Sequence, residues 1–204
     1  METVIRDISL SDTSDQRSCF FAGDNHRLLS GMIYKASMRS GSTCPAYQFI
    51  WKNIATPRVK FFGWLLTKNR INCKSNLLNK RVLEEDICAI CGQGSETADH
   101  LISGCSFAQV FWRQIGWQAE NIAEVRCLWE STAPVAMPRM ALSSLLLLLC
   151  WELWKHRHDV VFRDMPPSHS RLIVACRESA RQWRCRLSKN DARLSSFWCN
   201  HLPI

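Results

Sequence analysis

Residues 88–105 read CAICGQGSETADHLISGC, which sets three thiols and one imidazole in the order Cys88-x2-Cys91-x8-His100-x4-Cys105. Thiolate and imidazole together suit zinc, a d10 ion that takes four such donors tetrahedrally, and three cysteines with one histidine is a common structural set. Cys88 and Cys91 would form one arm on a tight turn, with Gly92 letting the backbone reverse so that amides face sulfur. Thr97 is predicted to N-cap a short helical turn carrying His100, with Gly104 at the exit toward Cys105. Four donors fill the shell and leave no open position, which predicts one structural Zn2+ and argues against a hydrolytic ion. Loading releases three thiol protons for one divalent ion, so it is expected to weaken toward acid pH. The alternative is that these side chains pack as ordinary core, which makes the paired spacing and the glycines coincidences.

The elements that must position these donors lie in a chain of 204 residues, long enough to bury a hydrophobic core without a metal. With 47% hydrophobic and 22% charged residues and nine tryptophans, the composition is that of a folded protein. The net charge of +8 favours polyanionic partners; it is neutral over residues 1–50 and divides equally between 51–117 and 118–204, with one concentration from Arg171 to Arg193. Eleven cysteines, an odd number with one Cys-x2-Cys pair, read as metal binding before a disulfide framework. The eight outside the motif are expected to be mostly small core residues. The polar start METVIRDISLSDTSDQ predicts no signal peptide. The longest apolar run, Ala141 to Trp151, falls short of the roughly 20 residues a membrane span needs and is expected to be a buried helix. The reading is therefore nucleus or cytoplasm, with no membrane partner.

Periodicity predicts a mainly α protein: a small helical domain with a zinc-knuckle-like Cys-Cys-His-Cys turn, followed by two long C-terminal helices. Leu28, Leu29, Met32, Ile33 and Ala36 line one face of a helix over 26–38. PRVKFFGWLLTKN begins a helix on Pro57, burying Val59, Phe62, Leu65 and Leu66. A short helix is expected over about 75–82, and another from Ser106 as N-cap through Ile115. Helices over 138–163 and 168–188 flank MPPS; in the second, Leu172, Ile173, Cys176, Ala180, Trp183 and Leu187 make one stripe and Arg177, Arg181 and Arg184 another. The expected organisation is an N-terminal flank over 1–45, a zinc-binding domain over 46–117, a linker over 118–137 and a helical segment over 138–204.

The run from Ile50 to Gly116 resembles the zinc-binding domain that follows the reverse transcriptase in plant non-LTR retrotransposons of the LINE type. The resemblance rests on Trp51 before Pro57, the FFGWLL segment, Arg70-Ile71, Asn76-Leu-Leu-Asn-Lys-Arg81, the Cys-x2-Cys pair, Glu96-Thr-x-x-His100, the closing Cys105 and Trp112. WELWKHRHDVVF, residues 151–162, is similar to the segment leading toward the ribonuclease H domain of such elements. The resemblance implies a polymerase with paired aspartates and a nuclease with four carboxylates, but no Asp-Asp pair occurs here and the tail after residue 163 holds only Asp164, Glu178 and Asp191. The chain therefore reads as a detached fragment of such a polyprotein, with its own Met1.

Three functional readings follow. In the first, the chain is a zinc-stabilised module that binds RNA or DNA, with Arg58, Lys60, Arg70, Lys74, Arg177, Arg181 and Arg184 as phosphate-facing candidates interleaved with aromatics. Cations at helical spacing are equally the solvated face of an amphipathic helix. In the second it is a scaffold for a polymerase module or for self-association, exposing an apolar patch around Leu145 to Trp154. In the third it is a transposon remnant without a selected role. An enzyme is not expected and no catalytic residue is assigned, because the close Cys/His grouping is the one zinc would fill. Glu96 and Asp99 are expected near the N-terminus of the short turn, where carboxylates suit the helix dipole.

Overall fold

A computed structural model describes residues 45–187 together with Trp198 and Leu202. The predicted helix over 26–38, most of the N-terminal flank, Cys19, Cys44 and Cys199 lie outside them. Among the described residues six α-helices run in chain order: α1 Pro45–Trp51, α2 Pro57–Thr67, α3 Lys74–Asn79, α4 Ser106–Gln114, α5 Arg139–Arg163 and α6 His169–Arg184. A π-type turn, His100–Gly104, precedes α4, and two 3-10 segments, Ala119–Asn121 and Val125–Glu130, follow it. The fold is mainly helical; among the described residues the sole extended pairing is an isolated antiparallel bridge, Ile87 to Ser95.

α5 organises the rest because its first ten or so residues have no polar face to show solvent. Ala141 through Cys150 are all buried, with Ser143 and Ser144 satisfied by the Met140 carbonyl. α2, α6, α1 and the π-type turn pack around it. This is the buried helix expected from the apolar run, and no helix among the described residues is long and apolar enough to cross a membrane. The patch expected around Leu145 to Trp154 is only partly exposed: Leu145 through Cys150 are enclosed, Trp151 and Trp154 are half-buried, and the exposed aromatics lie on α1, α2 and, at Phe162, on α5.

α2 begins as its sequence requires, with Pro57 in the first turn where its missing N–H costs nothing, and it buries Val59, Phe62, Gly63 and Leu66. Gly63 faces α5: a Cβ there would meet Leu147 Cδ2 at 2.7 Å, so the glycine in FFGWLL leaves room for the Leu147 side chain. α1 was not expected from PAYQFIW. It also starts on proline, and Asn53 closes it, its side-chain amide donating to the Phe49 carbonyl at 2.6 Å and its carbonyl accepting the Ala55 N–H. The N-cap of α4 is Cys105 and not Ser106, because the preceding turn places Cys105 in extended backbone, φ −68° and ψ 135°.

Residues 118–137, expected as a linker, bury Ile122, Val125, Leu128 and Ser131, and their second 3-10 segment packs on α1 and α2. α6 presents Leu172, Cys176, Ala180 and Trp183 to α5 and α4. Its N-cap is Ser168, whose hydroxyl accepts the Arg171 N–H at 3.3 Å. Trp198 is buried and donates its indole N–H to the Ala141 carbonyl at 3.1 Å.

Candidate metal centre

Two short arms carry the four donors. In the first, Gly92 adopts φ +67°, a backbone region costly for other residues, and the chain doubles back so that Cys88 N–H donates to the Gly94 carbonyl and Gly92 N–H to the Cys88 carbonyl. The reversal aims the Gln93 N–H at Cys91 Sγ, 3.4 Å away, the amide-to-sulfur contact that steadies a thiolate. The Ile87–Ser95 bridge closes the loop behind it.

The second arm is capped by Thr97, whose hydroxyl accepts the His100 N–H at 3.0 Å as anticipated. What the sequence reading did not foresee is its width. Five residues along an α-helix are about 140° apart around the axis, which would turn His100 and Cys105 away from each other. The Cys105 N–H instead bonds to the His100 carbonyl at 2.6 Å, a π-type closure that brings both side chains to one side. Trp112 fixes this turn from α4, its buried indole donating to the Ile102 carbonyl at 2.7 Å. Asp99 fixes it from outside by accepting the Val125 N–H at 2.8 Å.

The ligand atoms of Cys88, Cys91, His100 and Cys105 lie within 4.8 Å of one another, and Cys91 Sγ is 3.4 Å from His100 Nε2. A zinc–sulfur bond of about 2.3 Å implies a tetrahedral edge of about 3.8 Å, so the cluster could hold one metal ion with sub-ångström adjustments. Cys88 and Cys105 are buried, Cys91 and His100 half-buried. Hydrogen bonding from Cys105 is the main cause that pushes the Cys88 thiol down to about 4, while the same sharing, with burial, pushes Cys105 up. The two sulfurs thus share one proton by hydrogen bonding, and metal loading would have to displace it. By contrast Cys150 and Cys176 are core thiols pushed well above their usual range by burial, as the reading of scattered cysteines as core residues requires.

The role expected for Glu96 is corrected by its surroundings. Glu96 is 0% and Arg157 2% exposed, and both guanidinium contacts, Nε at 3.1 Å and Nη2 at 2.7 Å, fall on Oε1. The same oxygen accepts the Lys74 N–H at 2.9 Å, opening α3. Glu96 thus ties the metal loop to α3 and to α5, and its burial in an ion pair leaves it no part as a solvent-facing base. A signal was present: Arg157 falls four residues after Leu153 and eight after Leu149, on a buried face of α5, where an arginine requires an anionic partner.

The seven cations singled out for phosphate contact do not converge. Arg58 lies in the first turn of α2 and Arg70 past its far end, with about 14 Å of helix from Arg58 to Thr67 between them. Lys60 spends a donor on the Trp51 carbonyl and its pKa is lowered by burial; Lys74 is half-buried at the start of α3. Arg177, Arg181 and Arg184 stand together on α6, the last two exposed.

The fold and site define a helical module with a Cys3His cluster that could hold one metal ion. Residues 30–112 match the family model for zinc-binding in reverse transcriptase, a span that contains all four donors, Gly63, Glu96 and Trp112. No curated protein and no solved structure matches the chain.

Proposed function

We propose that the chain is a retrotransposon-related, zinc-stabilised nucleic-acid-binding module, descended from an element of the plant LINE type, in which Cys88, Cys91, His100 and Cys105 hold one structural Zn2+. The observation that carries this is the four-donor cluster inside a segment matching a zinc-binding domain of reverse transcriptase. A filled tetrahedral shell suits scaffolding and gives no open coordination position for hydrolysis, so the module works by binding and not by catalysis. The net charge of +8 and exposed arginines on α2 and α6 supply the attraction to phosphate. Nucleus or cytoplasm, where thiolates stay reduced, is the compartment that fits. The test is fluorescence anisotropy of the zinc-loaded protein with single-stranded RNA and DNA across salt concentrations. Absence of salt-dependent binding at low ionic strength overturns the reading.

A second reading is favoured by one observation. Tyr47, Trp51, Phe61 and Trp64 are exposed on neighbouring α1 and α2, and Phe61 stacks on Trp64 at 5.9 Å. Such a surface suits docking to a polymerase module or self-association. Light scattering that shows a concentration-independent monomer, unchanged by Phe61→Ser, counts against the self-association form.

A further inference from the structure

Largely beyond the segment matched to the family, α5 and α6 enclose with the first turn of α2 an open groove of about 700 Å³. Trp151, Trp154, His158 and Phe162 recur at three and four residues along α5, so they form one stripe about 16 Å long on its groove side. The rings touch in series: Trp154 meets His158 edge-on at 4.4 Å and His158 meets Phe162 at 5.3 Å. Phe62 of α2 supports the two tryptophans from below, at 5.2 Å and 6.1 Å. The Arg157 guanidinium lies over the Trp154 and Phe162 rings at 5.3 Å and 5.7 Å, yet Phe162, at the open end, is still 66% exposed.

Cations surround the stripe. Arg58 lies over the Trp151 ring at 5.3 Å, Lys155 and Arg163 project from α5, and Arg171 and Arg186 come from the groove side of α6. The acidic residues lining the groove are already engaged, Glu152 with Lys155 and Ser179, and Asp159 with Arg163. Among the described residues Arg58, Arg171 and Arg186 have no carboxylate partner within ion-pair distance. The stripe of Arg177, Arg181 and Arg184 points elsewhere, since those positions lie on the other side of the Leu172–Cys176–Trp183 seam.

We propose that this groove binds single-stranded nucleic acid, its bases stacking along the Trp151–Phe162 stripe and its phosphates meeting the flanking arginines. The proposal rests on the nucleic-acid reading above and gives it a site. Flat rings at successive turns favour unpaired bases, because a duplex keeps its base faces stacked inside; cations without partners on both walls favour a polyanion that is continuous along the groove. An acidic protein segment could satisfy the arginines but has no use for the ring series.

The test titrates zinc-loaded protein with a labelled oligothymidylate of about 12 nucleotides, beside Phe162→Ala and the pair Arg58→Gln/Arg186→Gln, all surface changes. Phe162→Ala is expected to weaken binding about tenfold, as loss of one stacked base does. The arginine pair is expected to flatten the slope of log K against log salt by about 1.4, two single-strand phosphate contacts. Photocrosslinking of a bromouridine-bearing strand to unaltered protein, expected on the peptide holding Trp151 and Trp154, reads the same site without any variant. If the strand binds but these variants and crosslinks point elsewhere, for example to loss in Arg181→Gln/Arg184→Gln, the groove is wrong and the nucleic-acid reading stands. If unaltered protein binds no strand, both fall. Binding of polyglutamate in place of the strand, lost in the same variants, also overturns the proposal.

Discussion

Replacing Arg157 with methionine tests whether the metal loop and the C-terminal helices are one structural unit. The ion pair it breaks is fully enclosed, with Arg157 Nη2 2.7 Å from Glu96 Oε1. At an effective dielectric near 20 the attraction at that distance is about 6 kcal/mol, but desolvating both ions offsets much of it, so the intact pair adds little net stability. Removing one partner is different, because Glu96 would keep its charge and burial with only the Lys74 N–H in support. The expected loss is about 3–5 kcal/mol, a large share of the roughly 5–15 kcal/mol that holds a domain folded. A second change, Glu96→Gln, removes the stranded charge while keeping an oxygen for the Lys74 amide, and should recover about half of the loss in the double variant. The assay is urea denaturation of zinc-loaded protein, followed by tryptophan fluorescence and by zinc release to a chromophoric chelator. Release is expected to be faster in Arg157→Met although no metal donor is altered. A single variant costing under about 1 kcal/mol, or a double variant no more stable than the single, would refute the reasoning.

Three further outcomes are expected. Cys88→Ser/Cys91→Ser should abolish the equivalent of bound zinc found in the parent protein by elemental analysis and reduce helical circular dichroism; undiminished zinc would remove the donor assignment. Gly92→Ala should cost about 1–2 kcal/mol because φ is +67°, whereas Gly104→Ala, with no left-handed backbone and its nearest neighbours at 3.7 Å, should be nearly silent in the same thermal melt. His156, stacked on Phe107 at 5.0 Å and accepting the Ser168 N–H at 3.2 Å, is held down to about 4, first by burial and then by Arg171 and His169, against Asp159. Since the folded-state value is depressed below the usual 6.5, the neutral ring's contribution is complete above about pH 6.5 and is lost as pH falls toward 4. His156→Gln should show a shallower decline in denaturation midpoint between pH 7 and 5 than the parent, and equal declines would refute the assignment.

Much of the site was legible because its information is local. Donor type and spacing, a glycine at the reversal and a threonine three residues before the histidine are each satisfied by hydrogen bonds spanning six residues or fewer. The same holds for Pro57 opening α2 and for α5, whose apolar run has no polar face to expose. α1 went unread because seven residues are too few to show a period, and Asn53 stops it through its own backbone contacts.

What only the tertiary structure decided are relations between residues distant in sequence. The π-type turn is set by Trp112 reaching back to Ile102 and by Asp99 accepting from Val125, so the His-x4-Cys spacing acquires its geometry from neighbours that the motif does not contain. Glu96 and Arg157 are 61 residues apart and find each other because α5 crosses the metal loop. The aromatic stripe of α5 was visible as composition, but its cationic walls come from α2 and α6. Sequence alone determined which atoms could bind a metal, since donor chemistry and spacing belong to the chain. Packing decided what those atoms support, since burial, ion pairing and grooves exist only between elements.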